Sequence, residues 1–469
     1  MNTHTSAAGA TASTAFSSLS LHPATLQNLQ ALGYEQMTPI QAASLPLTLA
    51  GKDLIAQAST GSGKTAAFGL PLLERLNQRW FAVQALVLCP TRELADQVAM
   101  EIRRLARAQE NIKVVTVYGG VPSRNQIASL ENGAHIVVGT PGRVMDLLDR
   151  GALDITNLQT LVLDEADRML DMGFYADIER VVEECPAERQ TLLFSATYPD
   201  GIASLARRFM REPEMVKVAA QHSAHKIAQR WYEVPEKQKV DVVVQMLAHF
   251  RPESTIAFCN TKQQCRDVVG ELQAQGISAL ALFGELEQRE RDEVLVQFAN
   301  KSCSVLVATD VASRGLDIAN LSCVINVDVT PDSEIHIHRI GRTGRGDAEG
   351  LALNLVAMDE MMFVAKIEQM QERKSEWFEV AELTPAEGGP LLPPMSTIQI
   401  IGGRKEKIRA GDVMGAMCAD FGYARDQVGK ISVNDFSTYV AVDRRIAAAA
   451  CDKLNNGRVK GKSVRARVL

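Results

Sequence analysis

The segment Gly61-Ser62-Gly63-Lys64-Thr65 follows an apolar stretch at 53–57 and precedes a helical pattern at 66–70. Strand, glycine loop and helix are the setting in which backbone N–H groups close around phosphate oxygens, with the helix N-terminus adding positive potential. There Thr60, Gly61, Ser62 and Gly63 form the cradle, Lys64 reaches the β- and γ-phosphates, and the Thr65 hydroxyl ligates Mg2+. Downstream, Asp164-Glu165-Ala166-Asp167 follows the apolar run 160–163. Its acids therefore emerge at the C-terminal end of a strand, where α/β sheets bind ligands. Asp164 is placed to hold Mg2+, and Glu165 to orient and activate an attacking water. An acidic cluster by itself is usually a solvated turn; behind a phosphate loop it becomes a catalytic candidate.

These groups need a scaffold. Short apolar runs at 85–89, 113–117, 135–138, 160–163 and 190–194, then at 255–259, 278–282, 304–308 and 323–327, alternate with helical patterns. Continuous apolar strands separated by helices predict parallel sheets covered on both faces. The two sets predict tandem α/β domains over 16–217 and 230–372, joined by a polar link at 218–229. Residues 384–394 carry four prolines and two glycines, so 373–395 reads as an extended connector to a third unit at 396–469. Residues 1–15, rich in Ala, Ser and Thr, read as a disordered tail.

The formal charge of −6 is unevenly divided: residues 396–469 hold 14 Lys+Arg against 7 Asp+Glu, a net of +7, and the remainder carries −13. The last stretch is thus the first candidate for phosphate contact. The eight cysteines are scattered without a C-x-x-C pair. That argues against a structural metal or a disulfide framework and for buried free thiols, such as Cys89 and Cys259, in a reducing cytoplasm. No apolar run approaches the roughly 20 residues of a membrane span.

The motifs between these points resemble those of the DEAD-box RNA helicases. They run in order through Gly33-Tyr-Glu-Gln-Met-Thr-Pro-Ile-Gln41, Pro90-Thr-Arg-Glu-Leu-Ala95, Gly119-Gly120, Thr140-Pro-Gly-Arg143, Asp164 to Asp167, and Ser195-Ala-Thr197. On the second domain they continue through Ala308-Thr-Asp-Val-Ala-Ser-Arg-Gly-Leu-Asp317 and His338-Arg-Ile-Gly-Arg-Thr-Gly-Arg345. The resemblance implies two RecA-like domains with ATP and RNA between them, hydrolysis on domain closure, and local strand separation without long translocation. It implies that Gln41 reads adenine, with Phe16 and Tyr34 packing near the base or serving as core, and that Asp317 contacts ribose. Arg342 and Arg345 would stabilise charge on the transferring phosphoryl group, since arginine's fixed fork of donors matches phosphate oxygens. Asp167, Ser195, Thr197 and His338 would couple hydrolysis to RNA. Thr91, Arg92, Gly120, Thr140 and Arg143 would face RNA on the first domain, with Arg92 and Arg143 adding charge or bracing; Gly284, Gln288, Arg291 and Thr309 would face it on the second.

Residues 396–469 show a β-α-β-β-α-β pattern, an RRM-like α+β order. The predicted sheet lacks the full aromatic pattern for stacking bases, which moves the expected contact surface to basic loops and edges. Gly402-Gly-Arg-Lys-Glu-Lys-Ile-Arg409, Lys430-Ile-Ser-Val433 and Val459-Lys-Gly-Lys462 resemble the C-terminal domain of DbpA-type helicases. That resemblance implies a factor acting on large-subunit (23S) ribosomal RNA during ribosome assembly, with Arg404, Lys405, Lys407, Lys462 and Arg465 as candidate contacts. Two alternatives stand beside it: a general helicase with a nonspecific basic tether, and an ATP-gated RNA clamp with little turnover. Intact Glu165, Arg342 and Arg345 favour the enzyme.

Overall fold

Alternation of apolar side chains decides the first sheet. Leu86, Leu88, Leu161, Leu163 and Leu193 enter one core, while Val87, Val162, Leu192 and Phe194 enter the other. Successive residues of a strand point to opposite faces, so a strand buried on both sides reads apolar throughout. The computed structural model describes residues 14–58, 61–198, 200–218, 227–310, 321–344, 349–388 and 391–469. They fall into two units that divide near residue 221.

The first unit holds β1 (Leu54–Gln57), β2 (Ala85–Leu88), β3 (Val114–Val117), β4 (Ile136–Gly139), β5 (Thr160–Leu163), β6 (Gln190–Ser195) and β7 (Glu214–Lys217). All are parallel, in the order β3-β4-β2-β5-β6-β1-β7.

The second unit opens with β8 (Ile227–Glu233), β9 (Thr255–Phe258), β10 (Ala279–Leu282), β11 (Val305–Ala308), β12 (Cys323–Asn326) and β13 (Gly350–Val356). They form a parallel sheet in the order β10-β11-β9-β12-β13-β8. Apart from β7, this is the strand order of the first sheet again. β8 begins at Ile227, inside the stretch expected to link the domains; residues 219–226 of that stretch lie outside the described residues.

The expected connector at 373–395 is not a free spacer. Trp377 bridges to Trp231 of β8; Phe378 N–H donates to the Trp231 carbonyl at 2.9 Å, and Trp231 N–H to the Glu376 carbonyl at 3.0 Å. Phe378, Val380, Leu383 and Leu391 pack on the core of the second sheet, against residues such as Tyr232 and Leu353. Prolines and glycines there set the path, but burial of the intervening apolar side chains holds the strap to the sheet edge.

The remaining strands, β14 (Met395–Ile401), β15 (Val428–Val433), β16 (Ser437–Asp443) and β17 (Arg465–Val468), form an antiparallel sheet in the order β15-β16-β14-β17. Helices Ala410–Gly415 and Ala447–Asn456 cover one face over Ile398, Ile400, Val440 and Val442. The other face carries Thr397, Gln399 and Tyr439, each buried. It lies against the second domain. Thr397 Oγ1 accepts from Asn300 Nδ2 at 3.0 Å and meets Ser302 Oγ at 2.7 Å. Gln399 Nε2 donates to Glu293 at 3.2 Å, and Arg467 pairs with Glu293 at 3.4 Å. The absence of an aromatic base-stacking pattern thus has a physical counterpart, because this face is occupied by protein.

Candidate nucleotide and RNA site

The chemistry-bearing residues of the first unit follow the C-terminal ends of its strands. Between β1 and helix Lys64–Arg75, Gly61 and Gly63 take φ of +81° and +92°. A Cβ at Gly63 would stand 2.5 Å from Gln41 Nε2, so this position needs glycine both for its backbone and for the approach of Gln41. Gln41 Nε2 donates to the Gly63 carbonyl at 3.0 Å, while its Oε1 accepts from Thr38 N–H at 2.9 Å. Gln41 thereby closes the capping box of helix Pro39–Leu49 and ties it to the loop. Lys64 is buried and donates to the Ala58 carbonyl at 3.2 Å. Thr65 is half-buried in the first turn, and Ser62 precedes it. Thr60 lies outside the described residues, as do Asp317 and Arg345.

Asp164, after β5, is buried and its Oδ1 has no hydrogen-bond partner. Burial pushes its carboxyl up to about 6; Lys64 pulls the other way and Glu165 adds to the rise. An orphaned, desolvated carboxylate oxygen near a lysine has the chemistry that would fit a hard cation. Glu165 has φ of +53° and leads helix Ala166–Asp171. Its carboxylate is clasped by Arg168, with Nη1 and Oε2 2.5 Å apart. Burial pushes Asp167 up, but hydrogen bonds from Thr197 and the charge of Lys64 outweigh it and leave this carboxyl below its ordinary value. Asp167 Oδ2 accepts from Thr197 N–H at 2.9 Å, Thr197 Oγ1 at 3.0 Å and Ala196 N–H at 3.1 Å; Ser195 Oγ accepts from Asp167 N–H at 3.3 Å. The expected Asp167–Ser195–Thr197 cluster therefore exists as a bonded unit.

Phe16 and Tyr34 meet edge-on at 6.0 Å. Phe16 is buried in the core, and the Tyr34 hydroxyl donates to Glu101 at 2.5 Å. They form a packed wall.

The RNA candidates follow β2, β3 and β4, neighbours at one end of the sheet order. Thr91 caps helix Arg92–Leu105 through Leu94 N–H at 3.3 Å. Arg92 lies over the Tyr118 ring at 5.1 Å, and Gly120 has φ of +77°. Thr140 precedes helix Pro141–Asp149. Arg143 braces the intervening loop, donating to Gln126 Oε1 and the Val121 carbonyl, each at 3.0 Å. Of its two expected roles, bracing is the one with partners in the fold. One half of the strand edge therefore carries the phosphate and acid groups, and the other half the RNA candidates.

In the second unit Gly284 follows β10 and is exposed, and Thr309 follows β11 with its N–H on the Leu282 carbonyl at 3.2 Å. Gln288 opens helix Gln288–Ala299, donating to Asp292 at 2.8 Å, and Arg291 lies one turn on. His338 sits in the last turn of helix Ser333–Ile340, and Arg342, buried, follows it.

In the third domain the loops carrying Arg404, Lys405 and Lys407 and carrying Lys460 and Lys462 meet. Lys462 Nζ donates to the Glu406 carbonyl at 2.8 Å, and Lys460 Nζ to the Lys407 carbonyl at 3.2 Å. Arg404 pairs with Asp435 at 3.4 Å, and Arg465 is exposed on β17. Lys460 joins this ledge although spacing alone gave no reason to single it out. Arg168 was missed in the same way; its i, i+3 spacing from Glu165 was the available signal.

Residues 38–205 match the DEAD/DEAH box helicase family, 238–347 the helicase conserved C-terminal domain, and 397–468 the DbpA RNA binding domain. The chain is 49% identical to the ATP-dependent RNA helicase DbpA of Escherichia coli K12, over 97% of this chain and 100% of that protein. The chain belongs to the DEAD-box ATP-dependent RNA helicases, of the DbpA type. It is also 45% identical to the DEAD-box helicase CshA of Geobacillus kaustophilus, over 77% of this chain and 78% of that one. Among solved structures, Saccharomyces cerevisiae Dbp5 bound to RNA and ADP BeF3 superposes with a TM-score of 0.71 at 30% identity, covering 78% of this chain and 96% of that one. As a DEAD-box helicase of this type, the chain is an ATP-using enzyme with a dedicated RNA-binding domain. No helix among the described residues is long and apolar enough to cross a membrane.

Proposed function

We propose that this helicase couples ATP hydrolysis to short, non-processive strand separation in large-subunit (23S) ribosomal RNA during ribosome assembly in the cytoplasm. The observation that carries the target is the basic ledge of Arg404, Lys405, Lys407, Lys460 and Lys462 on a domain whose sheet face is covered. Basic loops suit a structured RNA read by shape and phosphate position. The observation that supports Mg2+ is the orphaned Asp164 Oδ1. One carboxylate and the Thr65 hydroxyl, completed by phosphate and water, make up the sparse protein ligand set that Mg2+ favours. When bound, the ion neutralises phosphate charge. Around it, Gly61 to Gly63 cradle the phosphates, Lys64 leaves the Ala58 carbonyl for them, Glu165 orients the water, and Arg342 and Arg345 complete the site when the domains close. Asp167, Ser195, Thr197 and His338 report that closure to the RNA surface.

The test is ATPase stimulation of the full chain across a panel of RNAs. Reversing charge at Lys405 and Lys462 is cleaner than removing the domain, because removal would uncover Glu293 and Asn300. A ribosomal hairpin should stimulate the parent strongly and the variant no better than arbitrary RNA. Equal stimulation of the parent by ribosomal and arbitrary RNA would leave the general helicase as the correct reading. Tight ATP-dependent RNA binding without duplex separation would leave the clamp.

A further inference from the structure

The geometry points to Arg168 as a positioning residue that sets the direction of the Glu165 carboxylate; this rests on the reading of Glu165 as the group that orients the attacking water. Glu165 is a non-glycine residue with φ of +53°. That backbone costs on the order of 1 kcal/mol and persists only where its surroundings impose it. The carboxylate it carries is buried, and a buried charge needs a partner. Arg168 supplies one from the next turn of the helix. Its Nη1 lies 2.5 Å from Glu165 Oε2, and the two side chains are only 11% and 6% exposed. A charge-assisted hydrogen bond in so dry a place is directional and strong. Fixing one carboxylate oxygen restricts the plane of the group and hence where the other oxygen points.

Arg168 is itself held by the coupling cluster. Its backbone N–H donates to Asp167 Oδ1 at 3.0 Å, while Asp167 Oδ2 takes the bonds from Ala196 and Thr197. An unbroken path therefore runs from the loop after β6, through Asp167 and Arg168, to the water-orienting carboxylate. A displacement of that loop moves the residue that aims Glu165. An arginine serving only to neutralise a buried acid would stabilise the fold; this one also fixes the angle of a group whose work depends on angle.

The experiment compares Arg168→Met, Arg168→Lys, Glu165→Gln and the Glu165→Gln/Arg168→Met double variant in the full chain. It measures kcat and KM for ATP at saturating RNA, Kd for a fluorescent ATP analogue, and melting temperature. Arg168→Met should lower kcat about tenfold or more while KM and Kd stay within roughly threefold, because the lost bond acts on water rather than on nucleotide. Arg168→Lys should recover most of the rate, and the double variant should be no slower than Glu165→Gln. The inference fails if Arg168→Met keeps the parent kcat, if it loses nucleotide binding together with rate, if lysine rescues nothing, or if its loss adds in full to that of Glu165→Gln. A parent-like Glu165→Gln would sink the reading of Glu165 itself, and the inference with it.

Discussion

The two parallel sheets share a strand order, and each places a lysine at the first position of the helix after its first strand: Lys64 behind β1 and Lys239 behind β8. Each also places an aspartate just beyond the corresponding later strand, Asp164 after β5 and Asp328 after β12. Their fates differ. Lys64 donates to a backbone carbonyl, and Asp164 keeps an orphaned oxygen. Lys239, fully buried, reaches Glu236, Asp328 and Glu360 at 2.8, 3.0 and 2.8 Å. Asp328 also takes Gln264 and the Asn260 N–H. The same end of the fold is left electrostatically open in one domain and welded shut in the other. On the proposed function, the open arrangement suits phosphate binding, and the closed one suits a frame that carries Arg342. Arg339 extends the closed network, bonding Asp310, Asn260, Asn326 and the Asp328 carbonyl.

The comparison can be broken at its lysines. Lys239→Met should cost the second unit about 3–5 kcal/mol by stranding buried acids, read as a large fall in melting temperature. Lys64→Ala, which loses one backbone bond and its attraction to Asp164 and Asp167, should lower melting much less than Lys239→Met and lower ATPase roughly 10²–10³-fold. Equal thermal effects would erase the distinction. The acids should then respond with opposite sign. Asp164, held up to about 6, is protonated in the folded chain at a pH where the unfolded chain has lost its proton. Its charging penalty is absent below about pH 4 and complete above about pH 6, reaching roughly 2–3 kcal/mol. Asp164→Asn should therefore raise the nucleotide-free melting temperature at pH 7.5 while abolishing hydrolysis, whereas Asp328→Asn should lower melting.

A smaller effect sharpens the picture of the second domain. His336 is buried against Trp231 at a ring distance of 5.4 Å; burial, with Arg339, drives its imidazole down to about 3. Below about pH 6.5 the unfolded chain binds a proton that the folded chain refuses, so stability should fall by about 1.4 kcal/mol per pH unit as pH drops toward 3. His336→Gln should flatten that slope in melting scans; an unchanged slope would mean that other groups carry it. Smallest of all, Glu293→Ala breaks a partly exposed ion pair and one hydrogen bond to the third domain. It should cost about 1 kcal/mol or less, seen as a slight early shoulder in calorimetry.

Much of this was legible in the residue order because both sheets use doubly buried strands, whose apolar runs stand out. Two of the edge strands did not: β7 reads Glu-Met-Val-Lys and β8 mixes Gln and Arg with Trp and Tyr, so their pairing partners decide them. The strap at 373–395 carries the proline and glycine signal of a spacer, while its anchoring depends on Trp231, far away in the chain. Lys239 and Asp328 are 89 residues apart, and nothing local marks them as a pair. The phosphate loop and the acid cluster were readable because their chemistry is set by short-range spacing. The orphaned state of Asp164 was not, since an unmet hydrogen bond is a property of the packed interior.

The covered sheet of the third domain changes what selection can do there. Where a β-α-β-β-α-β domain offers its sheet to bases, the residues on that surface answer to nucleotide chemistry. Here Thr397, Gln399 and Tyr439 answer to Asn300, Ser302 and Glu293 instead. Substitutions on the two sides should accumulate in matched pairs, and a search for aromatic base-stacking signatures would pass over domains of this kind. The ledge loops, with no packing duty of comparable weight, are left able to change which RNA is held while the helicase behind them stays the same.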